Sequence, residues 1–217
     1  FRLIKFVFII WAFACQCTYA DEIAVPSAEA RLWANTKGHE LIDALSEPDM
    51  NIKFSRLDKM MTEDVNLDYI GKFVIGKYAK KMTGQQKQRY HELFQRYVLS
   101  LYKKTNFNFD AHRIIYSIDS VTEFPKFTNV SCSVEPGQIS EGVKIEKIPV
   151  RFKLIRGDNN RIQAVDVEIS NVSMVIEYRK RFYQMILSES ENMEWFLDKF
   201  EDIVKANEDA AVNKSKL

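Results

Sequence analysis

TGQQKQRYHELFQRYVLSLY, residues 83–102, decides how this chain folds. Its apolar side chains are Tyr90, Leu93, Phe94, Tyr97, Val98, Leu101 and Tyr102. They recur every three or four residues and draw one continuous stripe along a helix. Thr83 followed by Gln86 reads as a capping box that starts the helix. The opposite face, with Gln85, Lys87, Gln88, Arg89, Glu92, Gln95 and Arg96, is polar throughout. A stripe so rich in rings has to lie against a large apolar surface. Either it packs on a sheet, or its rings wall a cavity for an apolar ligand.

Upstream, the period stays helical. Leu32, Trp33, Leu41, Ile42 and Leu45 are core candidates of a helix that ends at Glu47-Pro48-Asp49. Phe54, Leu57 and Met61 mark a second, short helix. Asn66 is placed to cap a third, with Leu67, Ile70, Gly71, Val74, Ile75 and Tyr78 on one face. Two glycines inside that pattern, Gly71 and Gly76, each cost about 1 kcal/mol against alanine, which predicts a close approach of another backbone or a ligand.

Downstream, the period changes to two. Ile114, Tyr116 and Ile118 alternate, as do Val130, Cys132 and Val134. Ile148, Val150, Phe152 and Leu154 follow, then Val165, Val167 and Ile169. These runs predict a four-stranded antiparallel meander with one apolar face. Helical spacing returns with Val175, Tyr178, Phe182, Met185 and Ile186, and again with Phe196, Leu197, Phe200, Ile203 and Val204. The expected architecture is α+β: a helical N-terminal half, the sheet, then C-terminal helices, with an apolar cavity between sheet and helices. Residues 21–206 read as a single domain, and residues 207–217 as a polar, disordered tail.

Residues 1–20 read as a secretory signal peptide. Arg2 and Lys5 precede the apolar run Phe6 to Ala14, and Thr18-Tyr19-Ala20 fits a cleavage site. The run is short for a membrane span, and an uncleaved anchor is the alternative. Removal of this segment takes Cys15 and Cys17 with it. Cys132 is then alone, so an exported chain has no internal disulfide and its stability rests on core burial. In an alternating strand pattern Cys132 is expected as a buried, inert thiol. A net charge of +1 gives no basis for a nucleic-acid partner.

Catalytic patterns are missing. His39, His91 and His112 lack ligand spacing, no serine sits in a nucleophile elbow, and the glycines near Lys72 lie in a helical pattern rather than a phosphate loop. No catalytic residue, metal site or cofactor is therefore expected. Asp166 and Glu168 share one side of a strand and are expected to face solvent. Glu177, Arg179, Lys180 and Arg181 read as a solvated helix face, with Arg179 alternatively beside an anionic headgroup at a cavity mouth.

Two segments point to a family. One runs Ile70-Gly71-Lys72-Phe73-Val74-Ile75-Gly76-Lys77-Tyr78, then Met82-Thr83-Gly84-Gln85-Gln86 and the aromatic helix. The other runs Asp166-Val167-Glu168-Ile169-Ser170-Asn171-Val172-Ser173-Met174-Val175 into Tyr178-Arg179-Lys180-Arg181-Phe182. Together they resemble MlaC, the periplasmic phospholipid-binding shuttle family also known as the toluene-tolerance auxiliary component. Ile162, Ala79 and the run Ser188-Glu189-Ser190 depart from the family's usual tryptophan, aromatic and glycine-rich turn. The resemblance implies a non-enzymatic carrier in the periplasm that helps to maintain outer-membrane lipid asymmetry. It would exchange phospholipid with an outer-membrane lipoprotein–porin complex and with an inner-membrane ABC transporter bearing a periplasmic lipid-binding ring. The expected lipid-lining residues are Phe73, Val74, Tyr78, Phe94, Tyr97, Val98, Phe152, Leu154, Val167, Val175, Tyr178 and Phe182, with Arg179 at the headgroup. The alternative is a periplasmic adaptor with a filled core and no lipid.

Overall fold

The computed structural model describes residues 24–103, 113–135, 147–157 and 160–214. The export signal read at residues 1–20 lies outside the described residues. Four helices come first: α1 Ser27–Ser46, α2 Met50–Asp64, α3 Leu67–Ile75 and, after a 3-10 helix at Gly76–Lys81, α4 Gly84–Lys103. The strands are β1 Ile115–Phe124, β2 Phe127–Glu135, β3 Ile148–Arg156, β4 Ile162–Ile169 and β5 Val172–Ser173. Helices α5 Met174–Ser188 and α6 Met193–Lys214 close the chain. The strands pair in sequence order as an antiparallel meander. The α+β expectation holds, with five strands rather than four.

The extra strand has a local cause. Ser170 and Asn171 both take positive φ, 50° and 63°. Two left-handed residues between paired strands form the tight hairpin turn whose twist matches the sheet. It folds Val172–Ser173 back onto Ile169 and Glu168. Without an Asn-Gly or Asp-Gly pair the turn has no strong sequence signal.

The aromatic helix forms as its caps predict. The Gln86 N–H donates to Thr83 Oγ1 at 3.2 Å, and the Thr83 N–H donates back to Gln86 Oε1 at 3.0 Å. Its stripe does not meet the sheet, however. Tyr90, Phe94 and Tyr97 pack with Phe182 of α5 and with Phe196 and Phe200 of α6. Phe182 sits 4.8 Å from Phe200 and 5.8 Å from Tyr97, both edge to face, the arrangement that ring quadrupoles favour. The rings fill each other's spaces. The supposedly solvated face is also partly engaged. Arg89 reaches Glu194, Asp198 and Glu201 of α6 at 3.0, 2.8 and 2.6 Å, and Arg96 grips Glu208 with two bonds of 2.9 and 2.7 Å. These pairs run the length of α6, which continues through the residues expected to be a disordered tail as far as Lys214. Asn207 and Ala211 are buried, and Asn207 Nδ2 donates to Ser100 Oγ at 3.2 Å.

The Arg89 cluster makes stability sensitive to acid. Its hydrogen bond to Glu201, followed by that from Lys205, holds the Glu201 carboxyl at about 2, against an ordinary 4.5. A depressed carboxylate stabilises the fold above its ordinary value, and the contribution disappears as pH falls through the folded value. Arg89→Gln therefore flattens the loss of stability between about pH 4.5 and pH 2. Urea unfolding of both proteins across that range measures it, and the change is modest because the pair is exposed.

Helix α1 reverses the expected face. Leu32 is 67% exposed and Leu41 37% exposed, while Ala30, Ala34, Gly38 and Ala44 are buried. The small residues let the helix lie close on β1 and β2. A Cβ on Gly38 would come 2.4 Å from the Tyr116 ring, whose hydroxyl donates to the Ala34 carbonyl at 2.9 Å. Trp33, half-buried, meets Phe152 edge to face at 6.1 Å. Cys132 is buried under this helix, and burial pushes its thiol above the ordinary range, in keeping with an inert role.

Most of the buried apolar side chains thus fall into two clusters that share no member. One is the helical cluster of α3 to α6, the other the α1–sheet cluster around Val130, Cys132, Leu154 and Ala164. The two halves join at the open edge of β4. There Val65 makes a one-residue parallel bridge with Ala164, and the Asn66 N–H donates to the Ala164 carbonyl at 2.9 Å. This covers a strand edge that would otherwise be free to pair with another chain.

Candidate functional site: a cleft at the seam of the two cores

The sequence at the α2–α3 junction builds the floor of a cleft. Asn66 caps α3 by accepting from the Tyr69 N–H at 2.9 Å, and its amide donates to Gln163 Oε1 at 3.2 Å. Gln163 Nε2 donates in turn to the Glu63 carbonyl at 3.2 Å. Two buried or half-buried amides therefore lock α2 and α3 to β4. Above this lock a space of about 640 Å³ opens between the start of α3, the Gln95–Leu99 edge of α4 and the ends of β3 and β4. That volume is typical of small-molecule sites. Its exposed lining is more polar than apolar: Val65, Leu67, Leu99 and Ile155 supply the apolar part, and Asp68, Lys72, Arg156 and Arg161 its charges. A second space of about 360 Å³ shares Arg156 and Arg161 and extends toward Trp33 and Lys37.

None of the twelve residues expected to line a lipid site borders either space. Val74, Tyr78, Phe94, Tyr97, Val98, Val175 and Phe182 are buried in the helical cluster, with Tyr178 packed against it. Leu154 and Phe152 belong to the α1–sheet cluster. Val167 pairs opposite Phe152 in the sheet, and Phe73 is 38% exposed on α3. The reason is the aromatic helix: its rings found α5 and α6 as partners, so they stand one layer away from the seam. Burial holds the hydroxyls of Tyr90, Tyr97 and Tyr178 above the ordinary phenol range, so they are neutral core groups.

The residues that do form the cleft were missed. Leu99 lies one position off the α4 stripe, four residues after Gln95, so it escaped a periodicity argument. It is the apolar residue on an otherwise polar face that signals a second contact surface.

Asp166 also departs from expectation. It is 8% exposed rather than facing solvent. Its carboxylate accepts from the Ser173 hydroxyl at 2.6 Å and from the Val175 N–H at 3.2 Å. Ser173 Oγ in turn accepts from the Ile176 N–H at 3.2 Å. The Asp-to-Ser segment is thus an anchor for the start of α5, where a negative charge is favoured. Glu168 instead pairs with Arg151 across β3 at 2.6 Å.

Arg179 stands outside the cleft. Its guanidinium lies 4.7 Å from the Phe73 ring centroid and 5.2 Å from that of Tyr183, and it donates to the Tyr183 hydroxyl at 3.0 Å. Gly76 makes this stack possible. It has a φ of 47°, and a Cβ there would sit 2.4 Å from Tyr183 Oη and 2.9 Å from Arg179 Nη2. Gly76→Ala therefore costs about 1–3 kcal/mol through backbone strain and a displaced stack. Gly84→Ala, in open space at the start of α4, does not destabilise; thermal melts of the two variants check the contrast. The turn after α5 has no glycine, yet Ser190 and Glu191 take positive φ, 52° and 60°. Glu191 is fixed there by Lys81 and by the Tyr78 hydroxyl.

Helices packed on an antiparallel sheet, α1 over β1 and β2 and α2, α3 and α5 at β4, with ligand-sized space along the seam, define an α+β fold. Among the described residues no acidic, histidine or cysteine group could hold a metal, and no helix is long and apolar enough to cross a membrane. The MlaC protein family matches residues 36–202, and the chain belongs to that family. Among solved structures it is similar to a phospholipid-binding protein from Ralstonia solanacearum, crystallised in complex with a phospholipid. The TM-score is 0.64 at 13% identity, over 82% of this chain and 98% of that one. A search of curated proteins finds no match.

Proposed function

We propose that this protein is a non-enzymatic, periplasmic phospholipid carrier that takes acyl chains into the seam cleft. Membership of the MlaC family carries this reading, and the cleft between two separate cores supplies a place for the cargo. The lipid complex of the Ralstonia protein, which shares the fold, supports it. A two-chain lipid needs the seam to widen, which would part α2 and α3 from β4, where the Asn66 and Gln163 amides hold them.

The energetics dictate how such a carrier works. Burying acyl chains is worth about 0.8 kcal/mol per CH₂, so a two-chain lipid gains on the order of 20 kcal/mol over water. Release into water is then negligible. Transfer has to run directly from cleft to an apolar channel or bilayer, where these large terms cancel and differences of a few kcal/mol between docked states set direction. In this reading residues 1–20 export the chain and the remainder acts as one carrier domain. It moves lipid between an outer-membrane lipoprotein–porin complex and an inner-membrane ABC transporter with a periplasmic lipid-binding ring, and so maintains outer-membrane asymmetry.

Chloroform extraction of the protein purified without detergent tests the reading. Phospholipid at close to one molecule per chain is expected. A lipid-free protein that stays lipid-free after incubation with vesicles supports the second reading, a filled-core adaptor, which the close-packed ring cluster around Phe182 favours.

A further inference from the structure

The cleft carries more positive charge than acyl chains call for. Lys72, Arg156 and Arg161 stand around it with one carboxylate, Asp68, and the adjoining space that shares both arginines adds Glu63 and Asp64. The Asp68 carboxylate is turned to α4, where Gln95 donates to it at 3.4 Å and His91 lies 3.6 Å away. Arg156 is held in place by Glu29 at 2.6 Å and by the Asn160 carbonyl at 3.2 Å. Lys72 is different. It is exposed on α3, and among the described residues its ammonium makes no ion pair or hydrogen bond. The cations thus sit on both walls, Lys72 on the helical side and the two arginines on the sheet side, and each wall also carries an apolar side chain, Leu99 on α4 and Ile155 on β3.

Such an arrangement suits a headgroup phosphate whose chains run down between Leu99 and Ile155. It does not treat all headgroups alike. A headgroup that carries its own ammonium brings a like charge beside Lys72, whereas one with a neutral alcohol does not. We propose that the cleft rim selects phospholipids of net negative headgroup charge, with Lys72 as the specificity-determining cation. This rests on the reading of the cleft as a phospholipid site.

The test uses the purified full chain with vesicles of equal phosphatidylglycerol and phosphatidylethanolamine, followed by re-isolation and mass-spectrometric counting of bound lipid. The wild type enriches phosphatidylglycerol roughly three-fold to ten-fold, the scale expected of a few partly exposed ion pairs. Lys72→Gln brings the ratio to about half that or less, while Lys80→Gln, on the 3-10 helix, keeps it. Raised salt narrows the wild-type ratio. Equal uptake of the two lipids, or an enrichment that Lys72→Gln leaves intact, overturns the proposal. Displacement of the lipid by inorganic phosphate alone also overturns it, since that identifies a free-anion site. Uptake of neither lipid rejects the carrier reading itself, and is distinguishable from the other outcomes by the total count.

Discussion

Phe182→Ala lowers stability by about 3–5 kcal/mol, the usual cost of deleting a ring from a packed core. Phe182 is 1% exposed and touches rings from both α4 and α6. Its neighbours are themselves large and mutually locked, so the site cannot collapse onto the space left behind. For a chain of this size that corresponds to a melting temperature lower by roughly 10 °C. Phe73→Ala, at an exposed ring, costs less than about 1 kcal/mol. Differential scanning calorimetry of the two variants measures both. A Phe182→Ala protein that melts like the wild type would show that this ring borders space rather than core.

Leu99→Trp lowers bound phospholipid by roughly ten-fold, about 1.4 kcal/mol of affinity, because it places an indole where chains must enter. Leu99 is half-buried and faces the cleft, away from the ring cluster, so the helix keeps its packing. Circular dichroism should be unchanged while extracted lipid falls. The enlargement of Val98, its neighbour in sequence, gives the opposite pattern. Val98 is buried in the helical cluster, and a tryptophan there strains a full core at a cost of about 1–3 kcal/mol.

Much of the architecture is legible in the sequence, and the parts that are not have physical causes. The α4 stripe and its capping box are local features, so periodicity finds them. The partner of that stripe is a long-range fact: α6 lies about a hundred residues away, and an apolar surface of rings fits a sheet or a helix equally well. Leu32 and Leu41 mislead because the burying face of α1 is built from alanine and glycine, chosen for closeness rather than apolar area. Asp166 misleads because strand alternation ignores the hairpin at Ser170-Asn171, which brings the start of α5 back over the carboxylate. The cleft itself is the least legible. Its walls come from five elements, each contributing one to four side chains, and no single stretch carries its pattern.

On the carrier reading, cargo sits in the seam between the two cores and not among the aromatic rings. Photo-crosslinking tests it most directly. A photoreactive phenylalanine analogue replaces Leu99 in one protein and Phe94 in another, each is loaded from phospholipid vesicles, irradiated and digested. A lipid adduct is expected on the peptide that carries position 99 and none at position 94. Adducts at position 94 with none at 99 would contradict it, and would place the lipid in the helical core that the stripe of residues 83–102 first suggested.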